Sequence, residues 1–198
     1  FDAGDEYSRP APGSEPGFDA GSFRFGVPRD DQLEFFGNEE GRQLFYQSAE
    51  KLEDLGGTRH EIDFEPFLES ARLLYEGPWV SERYVAIESF IEEKGDSVFP
   101  VTREIIAGGA HPSAAGAFRS QYRLAALKRK TDPVWDEVDF ILTPTAACCY
   151  TIEEVEAKPV QLNSNLGYYT NFMNLLDFSA LAVPAGFQSD ALPFGVTL

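Results

Sequence analysis

The sequence predicts an α/β layer protein with a buried sheet. Three observations carry that reading. Phe140-Ile141-Leu142 is a short apolar run that suits a buried strand. Tyr169, Phe172, Met173 and Leu176 recur at three- and four-residue spacing, which makes one apolar face of a helix over 168–176. Two further apolar runs follow at 179–183 and 194–198. The resulting order is strand, long connection, helix, strand, turn, strand, as in a layered α/β protein.

Residues 1–22 are rich in Asp, Gly, Pro and Ser, with Pro10, Pro12 and Pro16 among them, and read as an irregular connecting segment. Phe23-Arg24-Phe25-Gly26-Val27 alternates like a half-buried strand, and Pro28 ends it. Asn38 is placed to cap a helix over 39–54, with Glu39 and Glu40 in the first turn, where the dipole favours acids. Leu44, Phe45, Ala49 and Leu52 form its apolar stripe, and Gly56-Gly57 ends it. A weak strand follows over 58–64. Glu65-Pro66 opens a second helix, with Phe67, Leu68, Ala71 and Leu74 inside and a stop near Gly77. Pro78 suits the first turn of a third helix, striped by Tyr84, Ile87 and Ile91 with Phe90 beside them, which ends at Gly95. Residues 101–107 read as a short helical piece before the Gly108-Gly109 break. Ser113 is placed to cap a long helix to about Lys130, with Phe118, Tyr122, Ala125 and Ala126 as its inner face. Its cations, Arg119, Arg123, Lys128, Arg129 and Lys130, suit a solvated face and a helix C-terminus. Asp132-Pro133 turns the chain toward Trp135. Thr143-Pro144-Thr145 then stops the strand begun at Phe140, because proline has no N–H for the next ladder bond. Pro184-Ala185-Gly186 stops the following strand in the same way.

The 198 residues, 43% of them hydrophobic, suffice for one core of ordinary size. The chain starts at Phe1 in loop-like sequence and stops at Leu198 inside an expected strand, so a portion of a longer protein, truncated at both ends, is expected. A net charge of −17 repels phosphate backbones and anionic membrane surfaces, which argues against nucleic-acid and membrane partners. No apolar run approaches the ~18 residues of a bilayer span. The cysteines, Cys148 and Cys149, are neighbours that rarely bridge, and reduced thiols fit a cytoplasmic protein.

The segments D-F-I-L-T-P-T, Y-T-N-F-M-N-L-L-D-F-S-A-L-A-V-P-A-G-F and L-P-F-G-V-T-L, in that order, resemble the C-terminal part of the amidase signature family. The wider stretch L-N-S-N-L-G-Y-Y-T-N-F-M-N-L-L-D is similar to the allophanate hydrolase branch. The resemblance implies an α/β/α sandwich with a mixed central sheet, to which residues 23–198 contribute a C-terminal portion. It implies hydrolysis of allophanate (urea-1-carboxylate) to ammonia and carbon dioxide, in urea degradation, through an acyl-enzyme and without a metal or organic cofactor. The implied partners are a small amide substrate and a functional link to urea carboxylase, with a homodimer left open. Two rivals stand beside this reading. One is another amidase or the A-type component of a tRNA-dependent amidotransferase. The other is a ligand-binding α/β module without chemistry, since fold does not fix function.

Ordinary catalytic groups are scarce. His60 lies in a charged strand and His111 in a Gly-Gly-Ala-His-Pro loop, and neither has carboxylate company at metal-ligand spacing. No Gly-x-Ser-x-Gly elbow or Walker loop is present. The family's Ser nucleophile, second Ser and Lys belong to a Gly/Ser-rich region that precedes the part matched here, and Ser113, Ser120 and Lys94 stand in no such context. No catalytic residue is therefore assigned within this chain, and the isolated chain is expected to be inactive. Substrate recognition remains. At residues 75–83 a helix break lets Tyr75 and Arg83 converge from two helices; Arg supplies a planar fork of donors for a carboxylate and Tyr a hydroxyl. The flanking L-L-Y-E-G-P-W-V-x-E-R-Y resembles the allophanate hydrolase segment that holds the substrate carboxylate, and the resemblance gives Tyr75 and Arg83 that role. The Asn163-Ser164-Asn165-Leu166-Gly167 stretch reads as polar turn chemistry and is not assigned to a site.

Overall fold

The computed structural model describes residues 1–10 and 21–198. Residues 11–20 of the expected connecting segment, with Pro12 and Pro16, lie outside the described residues.

Strand β1 (Phe23–Pro28) runs parallel between β2 (Gly57–Ile62) and β3 (Phe140–Ile141). At the crowded centre of this sheet stands Gly26, where a Cβ would sit 3.2 Å from the Ile62 side chain. A second sheet is antiparallel, with β6 (Pro193–Thr197) between β4 (Thr143–Pro144) and β5 (Ala182–Phe187). The two sheets share one extended segment, residues 140–144. Leu142 N donates to Gly26 O at 2.8 Å, and Thr145 N donates to Gly195 O at 3.0 Å. N–H groups an odd number of residues apart in an extended chain face opposite edges. β1 therefore bonds one edge of this segment and β6 the other, and the whole is a mixed sheet.

Both expected proline stops are corrected. The extended chain passes through Pro144, which pairs with Val196. Pro184 lies inside β5, where the register shifts between Pro184 and Gly186. Pro184 sits on an outer strand beside a bulge, and Pro144, in step with Leu142, turns its missing N–H toward the β1 side past the last β1–β3 pair, Gly26 with Ile141.

Helix α1 (Glu39–Asp54) starts where Asn38 Oδ1 accepts from Gly41 N at 2.9 Å, and Gly56, at φ 98°, turns the chain into β2. Phe45 and Ala49 are buried as α1 lies against β2, β5 and β6. Helix α2 (Glu65–Glu76) begins beside Asp63, whose carboxylate accepts from Gln32 and from Glu65 N and is held below its usual range by those bonds. Phe67, Leu68, Ala71 and Leu74 of α2 face the core. Then come α3 (Trp79–Lys94), α4 (Pro100–Ala107), α5 (Ala114–Thr131), the single turn α6 (Val134–Glu137), α7 (Ile152–Ala157), α8 (Pro159–Leu166) and α9 (Asn171–Leu176). The last is shorter than the expected 168–176, because residues 167–170 are taken up by turns.

Two helix faces differ from expectation. The stripe of α3 is only half-buried, Phe90 is exposed, and the helix breaks at Ile87 (φ −130°, ψ 19°). On α5, Phe118 and Tyr122 are 56% and 70% exposed, and Ala125 and Ala126 also face out. The inward ridge is instead Ser120, Leu124, Leu127 and Thr131, with Leu127 and Thr131 buried. This ridge keeps helical spacing, and its hydroxyl is satisfied: Thr131 Oγ1 donates to Lys128 O at 2.9 Å. Ser113 caps α5 as expected, its Oγ accepting from Gly116 N at 3.1 Å.

An aromatic cluster fills the core. Phe25, Phe35, Phe45, Phe64, Phe67 and Tyr169 are fully buried. Phe64 stacks on Phe67 at 5.2 Å and meets Phe172 edge-on at 5.4 Å. The Tyr169 hydroxyl donates to Glu34 O at 2.8 Å and accepts from Glu34 N at 2.7 Å, while burial pushes its pKa up. This residue is a satisfied core phenol.

Candidate functional site

The site is built at the junction of α2 and α3. Gly77 ends α2 with its N–H on Leu73 O at 2.8 Å. A Cβ on Gly77 would lie 2.6 Å from that oxygen and 2.7 Å from the Trp79 ring, so only glycine fits between them. Pro78 then starts α3 at once. The break is two residues long, so the last turn of α2 and the first turns of α3 lie side by side. The Arg83 guanidinium carbon sits 5.5 Å from the centre of the Tyr75 ring, within cation–π range.

The first turns of α3 are held by close backbone packing. Gly109, in the 3₁₀ turn Gly108–Ala110, comes so near Val80 that a Cβ there would sit 2.4 Å from Val80 O. Val80 is the buried residue of α3.

Tyr75 stands at the wall between two cavities of about 610 and 370 Å³, and Glu76 and Ser164 border both. The larger is mainly apolar, with Val80, Phe99, Val101 and Ile105 on one side and Val155 and Val160 on the other. The smaller is bordered by Arg72, Asn165, Tyr168 and Asn171 beside Phe36, Leu68 and Ala71. Arg72 is paired with Glu65, and Tyr168 is held protonated by burial, which raises its pKa. Glu76 is the one carboxylate among the described residues of either lining.

Helices α7 and α8 supply the far wall. Thr151 and Glu154 close a capping box at the start of α7. Pro159 opens α8, and Gly167 follows its end. The polar stretch at 163–167 is thus the last turn of a helix and its cap, with Asn163, Ser164 and Asn165 bordering the cavities. Sequence reasoning set these residues aside; the available signal was Pro159 and Gly167 bracketing a helix-length interval. Ser164 Oγ donates to Val160 O at 2.8 Å, and Asn165 Nδ2 donates to the Tyr150 hydroxyl at 2.8 Å. Burial raises the pKa of the Tyr150 hydroxyl and of the nearby buried Cys148 thiol.

Tyr75 and Arg83 are therefore brought together, with Tyr75 facing both cavities. Arg83 borders neither and lies over the ring. Among the described residues lining the two cavities there is no His, Lys or Cys. Among the described residues no cluster of His, Cys, Asp and Glu could hold a metal. As it stands, the arrangement can bind and orient a small polar molecule.

Residues 11–198 match the family model described as Amidase. The chain is 40% identical over 196 residues to urea amidolyase of Saccharomyces cerevisiae, a match that covers 98% of this chain and 11% of that protein. It is 40% identical over 196 residues to urea amidolyase of Lachancea kluyveri, again over 98% of this chain and 11% of that protein. Among solved structures, allophanate hydrolase of Kluyveromyces lactis superposes with a TM-score of 0.89 at 37% identity, over 98% of this chain and 32% of that one. The mixed α/β architecture is shared with that structure. The chain thus spans about a third or less of these fungal relatives.

Proposed function

The chain belongs to the amidase family, and from that premise we propose that it is the substrate-gripping portion of an amide hydrolase acting on allophanate. One observation carries the reading: the α2–α3 break sets Arg83 over the ring of Tyr75, and Tyr75 stands at the wall of two cavities. Similarity to an allophanate hydrolase over 98% of the chain supports the substrate class.

Allophanate carries a carboxylate at one end and an amide at the other. The Arg83 fork and the Tyr75 hydroxyl bind the carboxylate by charge-assisted hydrogen bonds. Arg83 turns from the ring face to the anion as substrate enters. Anchoring one end fixes the scissile amide in place, which converts a bimolecular encounter into an oriented one. The nucleophilic serine attacks the amide carbon, ammonia leaves, and water releases the acyl group. That serine and its base come from outside residues 1–198 of the complete hydrolase. Residues 23–198 form the C-terminal portion of its amidase domain, and residues 1–22 connect to it. A functional link to a urea carboxylase fits the name urea amidolyase borne by the Saccharomyces relative. The free thiols Cys148 and Cys149 fit a cytoplasmic setting. No helix among the described residues is long and apolar enough to cross a membrane.

Replacing Arg83 by Lys in the complete protein tests the reading. Hydrogen bonds to charged groups contribute about 1.5–3 kcal/mol, so kcat/KM for allophanate should fall roughly tenfold to a hundredfold. Unchanged kinetics would remove the proposal. The rival that is a general amidase predicts turnover of an uncharged amide such as propionamide that this substitution leaves intact.

A further inference from the structure

Asn165 occupies the last turn of α8 and borders the smaller cavity together with Tyr75. Its Nδ2 donates to the Tyr150 hydroxyl at 2.8 Å. That bond uses the amide nitrogen as the donor and so orients the amide. Asn165 Oδ1 is the atom left over, and no donor among the described residues occupies it.

We propose that Asn165 Oδ1 accepts the imide N–H of the substrate, the N–H between the two carbonyl carbons, and so sets specificity. The inference rests on the carboxylate grip assigned above. In allophanate the imide nitrogen is bonded directly to the carboxylate carbon. An anion held at Tyr75 thus delivers that N–H to a compartment Tyr75 lines, and Asn165 borders the smaller of the two. The larger cavity sets Thr102 and Asn163 among Val, Ile and Phe side chains. A site built around an acceptor discriminates against an analogue that lacks the matching N–H, because the acceptor is then left unpaired. Tyr150 is a positioning residue in this scheme: it touches Asn165 and not the substrate.

The test compares kcat/KM of the complete protein for allophanate and for malonamate, in which a CH₂ replaces the imide N–H. Both carry the carboxylate, and intrinsic reactivity cancels when the ratio is compared between variants. N165A and N165L should each compress the allophanate-to-malonamate ratio about tenfold, the worth of one hydrogen bond, with the loss falling on allophanate. Y150F should compress it less, since the acceptor survives but is free to rotate. R83K should lower both substrates together and leave the ratio alone. If R83K behaves so and the Asn165 variants leave the ratio unchanged, the assignment of Asn165 is overturned while the carboxylate grip stands. If R83K leaves both substrates unchanged, the grip fails and this inference fails with it.

Discussion

The sheet and the helical arm that carries the site are packed to very different standards. Around β1, Phe25, Phe45, Phe64 and Phe67 show no exposed surface, and aromatic rings meet at 5–6 Å. Along α3 and α4, Val80 is the one buried residue, and α3 breaks at Ile87. The sheet is held by volume, so that each ring has neighbours on every side. The arm is held by a few backbone approaches, Gly77 under Trp79 and Gly109 against Val80. Loosely packed elements open at lower free energy and are where ligand sites tend to lie. The difference teaches that Tyr75, at the end of a well-packed helix, has a fixed position. Arg83, one helix later, sits on the more yielding side.

The two tryptophans allow this contrast to be broken or sharpened. Trp135 touches Phe178 at 5.0 Å beside the core, while Trp79 opens α3. Variants keeping one tryptophan each would follow the two regions separately through urea unfolding. The largest effect is expected from Phe25→Ala, which removes a fully buried ring stacked near Phe140 and should cost about 3–5 kcal/mol. The Trp135 transition should then move to markedly lower urea. Gly109→Ala comes next. Its Cβ would drive into Val80 O, and overpacking of this kind costs about 1–3 kcal/mol. The Trp79 transition should shift while that of Trp135 holds; a joint shift would mean that the arm and the sheet unfold as one. The smallest effect is expected from Phe118→Ser, at an exposed position of α5, which should change stability by no more than about 0.5 kcal/mol. A larger loss would show that α5 buries that ring after all.

Much of this architecture was legible because local chemistry agreed with the global fold. Asn38 and Gly56 bracket α1, Ser113 caps α5, and Gly77-Pro78 separates α2 from α3, each through a hydrogen bond or a dihedral that only a few residue types supply. What was misread depended on partners distant in sequence. Pro184 reads as a stop unless its strand is known to be an edge. Phe118 and Tyr122 read as an inner face because hydrophobicity outweighed the less conspicuous ridge of Ser120, Leu124, Leu127 and Thr131. The site was half legible. The Tyr75 and Arg83 spacing pointed across a visible helix break, but Ser164 and Asn165 gain their meaning only when α8 is brought across the cavities from the end of α2.

The segment at 140–144 has a consequence for how the molecule opens. Its Leu142 amide is protected by one sheet and its Thr145 amide by the other, although the two lie three residues apart. Neither sheet can release its edge without pulling on a chain that the other still holds. Under native-state hydrogen exchange these two amides should therefore lose protection in the same event, as members of one cooperative opening unit. The strands they join come from opposite ends of the chain, β1 and β6, so the seam closes only after a long loop has been brought together and is a candidate for the slow step of folding.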